Sequence, residues 1–355
     1  MKTLFVYPKR SSPLPALLFL AWLDAATSKL GAALILPHGD VALDPSNLSP
    51  GTAARKAGDT IAKGARQAAR WFATGKNSSS PQKTTGTESR DFDLIFLSTP
   101  HGIQLTHDYG IYLGPHASGS INITGDNSSH APYTVTMPPI DLDTALSLDL
   151  IMQLTEQQST SGKPIPVEGI ATSADGAKDL PLEWAEIIPL KLLPEPHAFK
   201  YLIWSYPLRR YTESPSMVEE LLIIGAAIRS WMEALPLNIG VIISGDMSHT
   251  HEATGPYGYS NASAPFDHAV GHWASNPCQN SDSLLQTARS LQPNGKSCGF
   301  TGFVLLHAML CGGSTGETFD PLDSDNVWVN RNATYYGMMA VTFDSKGNDQ
   351  RVSSE

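Results

Sequence analysis

A chain of 355 residues, 41% hydrophobic and 16% charged, is long enough to bury one large core, or two at most. A formal net charge of -10 and the lack of any Lys/Arg-rich run argue against a nucleic-acid partner. No apolar run reaches the roughly eighteen residues of a membrane-crossing helix, so no membrane span is expected.

The chain opens with a leader, residues 1–30. Lys2, Lys9 and Arg10 precede the apolar run 14–23, and the small residues Ala25 and Ala26 follow it. This order fits a signal peptide cleaved near Thr27, while Asp24 fits an amphipathic first helix better. Six N-x-S/T sequons, at Asn47, Asn77, Asn122, Asn127, Asn261 and Asn332, weigh toward export, against roughly two expected by chance. Secretory and cytoplasmic residence stay in balance.

Residues 31–36 form a short continuous apolar run that ends in Pro37-His38-Gly39, a buried strand delivering a histidine at its carboxyl end. Residues 51–74 read as a helix, and the Ser/Thr/Gly/Lys-rich stretch 76–89 as a surface loop. A second strand over 92–98 ends in Pro100-His101-Gly102. A helix is expected over 141–157, the entry to a strand at 163–167, and a segment from Ile187 leading into an apolar strand at 199–204. Pro215 and Ser216 open a helix to Trp231, followed by a strand over 239–244 that ends in Gly245-Asp246-Met247-Ser248-His249. The apolar stretch 300–310 has a helical pattern, and 327–329 with 338–343 read as a closing hairpin.

Alternating strands and helices predict a single α/β domain over 31–345, with a central mostly parallel or mixed sheet, helices on both faces and a polar tail at 346–355. Cys278, Cys298 and Cys311 make neither a disulfide framework nor a CxxC zinc pattern. One bridge with one free thiol and three free thiols both fit the spacing.

Three strands thus end in a histidine: His38, His101 and His249. Ligands of open α/β sheets bind beyond the carboxyl ends of the strands, where such histidines can converge. A lone strand-end histidine is usually only a polar loop residue. Three at equivalent ends, two within the same Pro-His-Gly triplet, point to a metal site with an acid/base group.

Ser244-Gly245-Asp246-Met247-Ser248-His249, then Gly255-Pro256-Tyr257-Gly258-Tyr259 and Phe266-Asp267, resemble the G-D-L-S-H…P-Y-G…F-D signature of the class III (LigB-type) extradiol ring-cleaving dioxygenases. Pro37-His38-Gly39 and Ser98-Thr99-Pro100-His101-Gly102 resemble the two histidine-ligand segments of that family, and Lys296-Ser297-Cys298-Gly299 resembles its C-terminal C-G motif. The resemblance implies metal ligation by His38 and His101, and an acid/base role for His249 over the substrate ring. It implies substrate-side positions for His107 and Tyr257, a small aromatic (catecholic) substrate, dioxygen, and Fe(II) as the metal. Asp246 orients a histidine, accepts a proton, or caps the turn after its strand. His107 reads equally as an exposed loop residue.

The family's ring-cleaving members carry a glutamate near the C-G motif, and here no carboxylate lies between Asp282 and Glu317. Cys298 resembles the cysteine of the related Memo proteins at that position, which makes it the expected third ligand; its competing reading is a small core residue. A His/His/Cys set also suits copper or zinc. The alternative function is a Memo-like metal-binding or peptide-binding protein that has lost ring cleavage. A homo-oligomer is compatible with either.

Overall fold

The computed structural model describes residues 29–75, 90–123, 132–157, 162, 164–172, 176, 178–312 and 323–344. The leader up to residue 28, the 76–89 loop, the polar tail and the sequons at Asn77 and Asn127 lie outside the described residues.

The strands are β1 (Lys29–Leu36), β2 (Leu94–Thr99), β3 (Tyr109–Tyr112), β4 (His116–Ile123), β5 (Tyr133–Leu142), β6 (Val167–Ile170), β7 (Leu180–Pro181), β8 (Lys200–Ser205), β9 (Asn238–Ser244), β10 (Asp323–Asn332) and β11 (Gly337–Asp344). They form one mixed sheet of order β10-β11-β1-β9-β2-β8-β5-β4-β7, with β3 pairing β8 and β6 off that path. The centre β1-β9-β2-β8 is parallel. The terminal hairpin β10–β11 adds antiparallel to β1.

The helices are α1 (Asp40–Leu43), α2 (Ala53–Thr74), α3 (Thr144–Glu156), α4 (Trp184–Leu192), α5 (Arg210–Glu213), α6 (Val218–Ala234), α7 (Ser263–Ser275), α8 (Arg289–Gly295) and α9 (Phe300–Cys311). Central strands buried on both faces explain the unbroken apolar runs, because successive side chains feed opposite cores. Leu94 and Phe96 of β2 join Leu221, Ile224 and Phe303 of α6 and α9. Their neighbours Ile95 and Leu97 join Ile61, Ala65 and Phe72 of α2 and Ile187 of α4. The α/β class with helices on both faces holds.

Three local differences from the sequence reading have physical causes. The helix expected from 141 begins at Thr144, because β5 continues to Leu142 and the Asp143 carboxylate caps the helix, accepting from the Leu146 amide at 3.0 Å. The segment from Ile187 belongs to α4, whose start is fixed by a capping box between Glu183 and Glu186. Its interior Pro189 lacks an amide proton, so the Ala185 carbonyl one turn earlier is left without its helical donor. That vacancy is filled from the site, as described below. Strands β3 to β5 went unread because β4 is largely Ser, Gly and Asn and β5 contains Pro138 and Pro139, which hides the alternation.

Of the two cysteine alternatives, the structure shows the first. Cys278 and Cys311 are bridged, joining the end of α7 to the end of α9, and Cys298 is free and buried.

Candidate metal centre

β1, β9 and β2 are neighbours, so the segments leaving their carboxyl ends meet at one edge of the sheet. His38 follows β1, His101 follows β2, and Asp246 and His249 follow β9. The His38 and His101 rings face each other edge-on with centroids 5.2 Å apart. Cys298 arrives from the turn before α9. A Cβ on Gly245 would stand 2.6 Å from the Gly299 Cα, so only two glycines allow these backbones to touch. The Asp246 carbonyl locks the contact, accepting from the Gly299 amide at 3.0 Å and the Ser297 hydroxyl at 2.8 Å. In consequence the ligand atoms of His38, His101 and Cys298 lie within 4.8 Å of one another, and so do those of Asp246, His249 and Cys298.

The hydrogen bonds set the proton positions. Ser244 Oγ spends its one proton on the Ala185 carbonyl that Pro189 leaves open, at 2.5 Å. It can therefore only accept from His38 Nδ1, 2.9 Å away, which puts the imidazole proton on Nδ1 and the lone pair on Nε2. Nε2 faces Cys298 Sγ at 3.3 Å and Asp246 Oδ2 at 3.4 Å. His249 follows the same logic: Nδ1 donates to the Met247 carbonyl at 2.9 Å, and Nε2 is left basic. His101 differs, since Arg210 Nη2 lies 3.3 Å from its Nδ1 and can only donate.

Burial sets the charges. It depresses His38 well below the usual imidazole range, His101 to about 3 and His249 to about 4, with the Arg210 guanidinium adding to each. All three rings are neutral near pH 7 and can act as ligands or bases. Burial drives Asp246 the other way, to about 8, against the stabilising His38 and Gly39 amides, and it also pushes the Cys298 thiol up. The site therefore holds two acidic protons that a cation would displace. Two imidazoles and a thiol in one group, with a carboxylate and a third imidazole grouped about the same thiol, fit a mononuclear d-block ion, and Fe(II), copper and zinc are all compatible with this mixed hard and soft set.

The site opens into a cleft of about 610 Å³ lined by His38, His101, Asp246 and His249 together with Trp184, Tyr257, Tyr335 and Tyr336. Trp184 lies over His101 at 4.8 Å between ring centroids, and Tyr336 stacks on His249 at 5.7 Å. Gly39 makes room for that stack, because a Cβ there would meet the Tyr336 ring at 2.2 Å. Tyr257 is thus brought to the cleft. His107 is exposed and absent from its walls, with its carbonyl accepting from Arg209 Nε at 3.0 Å. Sequence reasoning missed Trp184, Tyr336 and Arg210. Their neighbours are ordinary, and only the fold brings them to the histidines.

No family model and no curated protein matches the chain. Among solved structures, the chain is similar to the crystal structure of an uncharacterized protein, JW3007, from Escherichia coli K12. The identity is 12% and the TM-score 0.47, over 88% of this chain and 99% of that one.

Proposed function

We propose that the cleft is a mononuclear metal centre of the extradiol type, an oxidoreductase site that inserts dioxygen into a catecholic or related aromatic substrate. The observation that carries this reading is the convergence of His38, His101 and Cys298 within 4.8 Å, with the basic Nε2 of His249 on the same cleft. His38 and His101 would hold the ion through lone pairs, and Cys298 and Asp246 would hold it through charge after losing their protons. When bound, the ion acidifies a phenolic hydroxyl and brings dioxygen and substrate together. The chain's residues do the rest. His249, neutral and anchored through Nδ1, accepts the phenolic proton on Nε2 and can return it later. Trp184, Tyr257 and Tyr336 line the cleft and offer aromatic faces against which a ring can pack.

Asp246 also changes how the lost glutamate is read. The Asp246 carboxylate, 3.4 Å from His38 Nε2 and in one group with Cys298, would then stand in for the carboxylate that the C-G motif lacks.

The thiol favours a second reading, a Memo-like protein that binds metal or peptide without ring cleavage. Anaerobic purification, metal analysis and an oxygen-uptake screen over catechols separate the two. We expect about one ion per chain and catechol-dependent uptake. His249→Ala should keep the ion and lower turnover by about a hundredfold or more, while His38→Ala should lose the ion. Full metal loading with no uptake on any catechol would favour the second reading. Loss of metal in His249→Ala would make that residue a ligand.

A further inference from the structure

Four of the six sequon asparagines lie among the described residues: Asn47, Asn122, Asn261 and Asn332. The fold sorts them into two kinds. Asn47 ends the short turn of 3-10 helix Pro45–Asn47, is only 5% exposed, and directs its amide nitrogen at Asp40 Oδ2, 3.5 Å away. The other three are exposed. Asn122 lies on β4 opposite Thr134 of β5, and its Oδ1 accepts from the Thr134 hydroxyl at 2.9 Å. That bond uses the oxygen, whereas a sugar would join the nitrogen. Asn332 ends β10 at the turn of the terminal hairpin, and its Nδ2 donates to the Thr334 carbonyl at 3.2 Å. A side-chain amide has two N–H bonds, so it can give up one and keep this contact. Asn261 stands on the turn just before α7.

Exposed asparagine is common on any protein, so exposure alone assigns nothing. A second observation comes from the bridge. The packing of α7 and α9 brings Cys278 and Cys311 to 5.3 Å between Cα atoms, where they are joined. Disulfides form and persist in oxidising compartments and are rare where glutathione keeps thiols reduced. Secretory proteins meet both chemistries, since the lumen that oxidises their thiols also modifies their sequons. Six sequons against roughly two expected by chance point the same way as the bridge, from different residues and without the leader.

We infer that Asn122, Asn261 and Asn332 are N-glycosylation sites and that Asn47 is not. The co-reactant is an oligosaccharide carried on a lipid diphosphate. The asparagine Nδ2 bonds to the anomeric carbon of the first sugar, and that carbon's bond to the phosphate oxygen breaks. The lipid diphosphate leaves with the electron pair, and the nitrogen loses one proton. At the three exposed positions the sugar extends into solvent. At Asn47 it would replace a proton that now faces Asp40, in a buried turn packed on α1 and α2, so this asparagine stays bare.

The test is site mapping on the full chain isolated from the cells that make it. An amidase that frees N-linked sugar, used in heavy-oxygen water, converts each sugar-bearing asparagine to a labelled aspartate. Label should appear at Asn122, Asn261 and Asn332 and be absent from Asn47. Asn122→Gln, Asn261→Gln and Asn332→Gln, made in the same cells, should each speed migration of the denatured chain by one glycan step, while Asn47→Gln should leave it unchanged. Mapping of wild type needs no variant, so a variant that fails to fold does not remove the test. Absence of label at any one of the three strikes that site, and absence at all three overturns the inference. Label at Asn47 in the folded protein overturns the sorting by burial.

Discussion

Ser244 decides what His38 can do, though it touches neither ion nor cleft. Its hydroxyl is claimed by the Ala185 carbonyl, and the acceptor it offers fixes the His38 proton on Nδ1. Ser244→Ala removes the acceptor and frees the ring to rotate or change tautomer. Metal affinity measured by chelator competition should fall about 10- to 100-fold, the usual cost of removing such a support. Unchanged affinity would mean the Nδ1 proton is held elsewhere. Little of this was legible in the sequence. The histidines showed themselves because each stands at the end of an apolar strand, next to proline and glycine. Ser244 closes a strand like many serines, and Arg210 lies in a four-residue helix with no pattern to mark it. Their meaning depends on contacts between residues 59 and 109 positions apart. Asp246 was visible as a residue, but its nearness to Cys298 depends on the Gly245–Gly299 contact, which local sequence does not encode.

At the level of elements, the long apolar strands and helices were legible because burial on both faces leaves continuous or 3.6-periodic runs. The closing hairpin β10–β11 was legible too, but β4 and β5 were not, being half exposed and rich in polar residues or proline. The bridge between Cys278 and Cys311 was undecidable from spacing and became plain once α7 and α9 packed together. It spans 33 residues and closes a ring that contains α8 and α9. Loop-closure entropy for that length amounts to about 3–4 kcal/mol in the unfolded chain. Reduction, or paired Cys278→Ser and Cys311→Ser, should therefore lower the denaturation midpoint by a corresponding amount with little change in the folded circular dichroism. Equal midpoints with and without reductant would show that the bridge does not form in the purified protein.

For the whole molecule, the buried groups give the metal-free protein a defined pH optimum. His38, His101, His249 and His307 are all depressed by burial, the last to about 4, against an ordinary value of 6.5. Between about 4 and 6.5 the unfolded chain binds more protons at these four, so stability rises with pH. Asp246, Glu186 and Asp267 are raised by burial, the first two to about 8 and about 7. The folded chain holds their protons longer, so they make stability fall with pH until each ionises. The histidines prevail below 6.5 and only the carboxyls act above it. Thermal unfolding of the metal-free protein should be most resistant near pH 6.5. Glu186→Gln should flatten the decline between about 6.5 and 7, and an optimum above pH 8 would contradict the buried carboxyls. Among the described residues no helix is long and apolar enough to cross a membrane.

The touching glycines have one more consequence. With Gly245 pressed on Gly299, a carboxylate from the end of β9 and a sulfur from the turn before α9 come within 4.8 Å of each other from segments far apart in the chain. The negative donor therefore has two independent addresses. A mutation that erases one leaves the other in position, and the backbone need not move. If the cleft holds an ion as proposed, such a centre could drift between hard and soft ligands through single substitutions without losing its last negative donor.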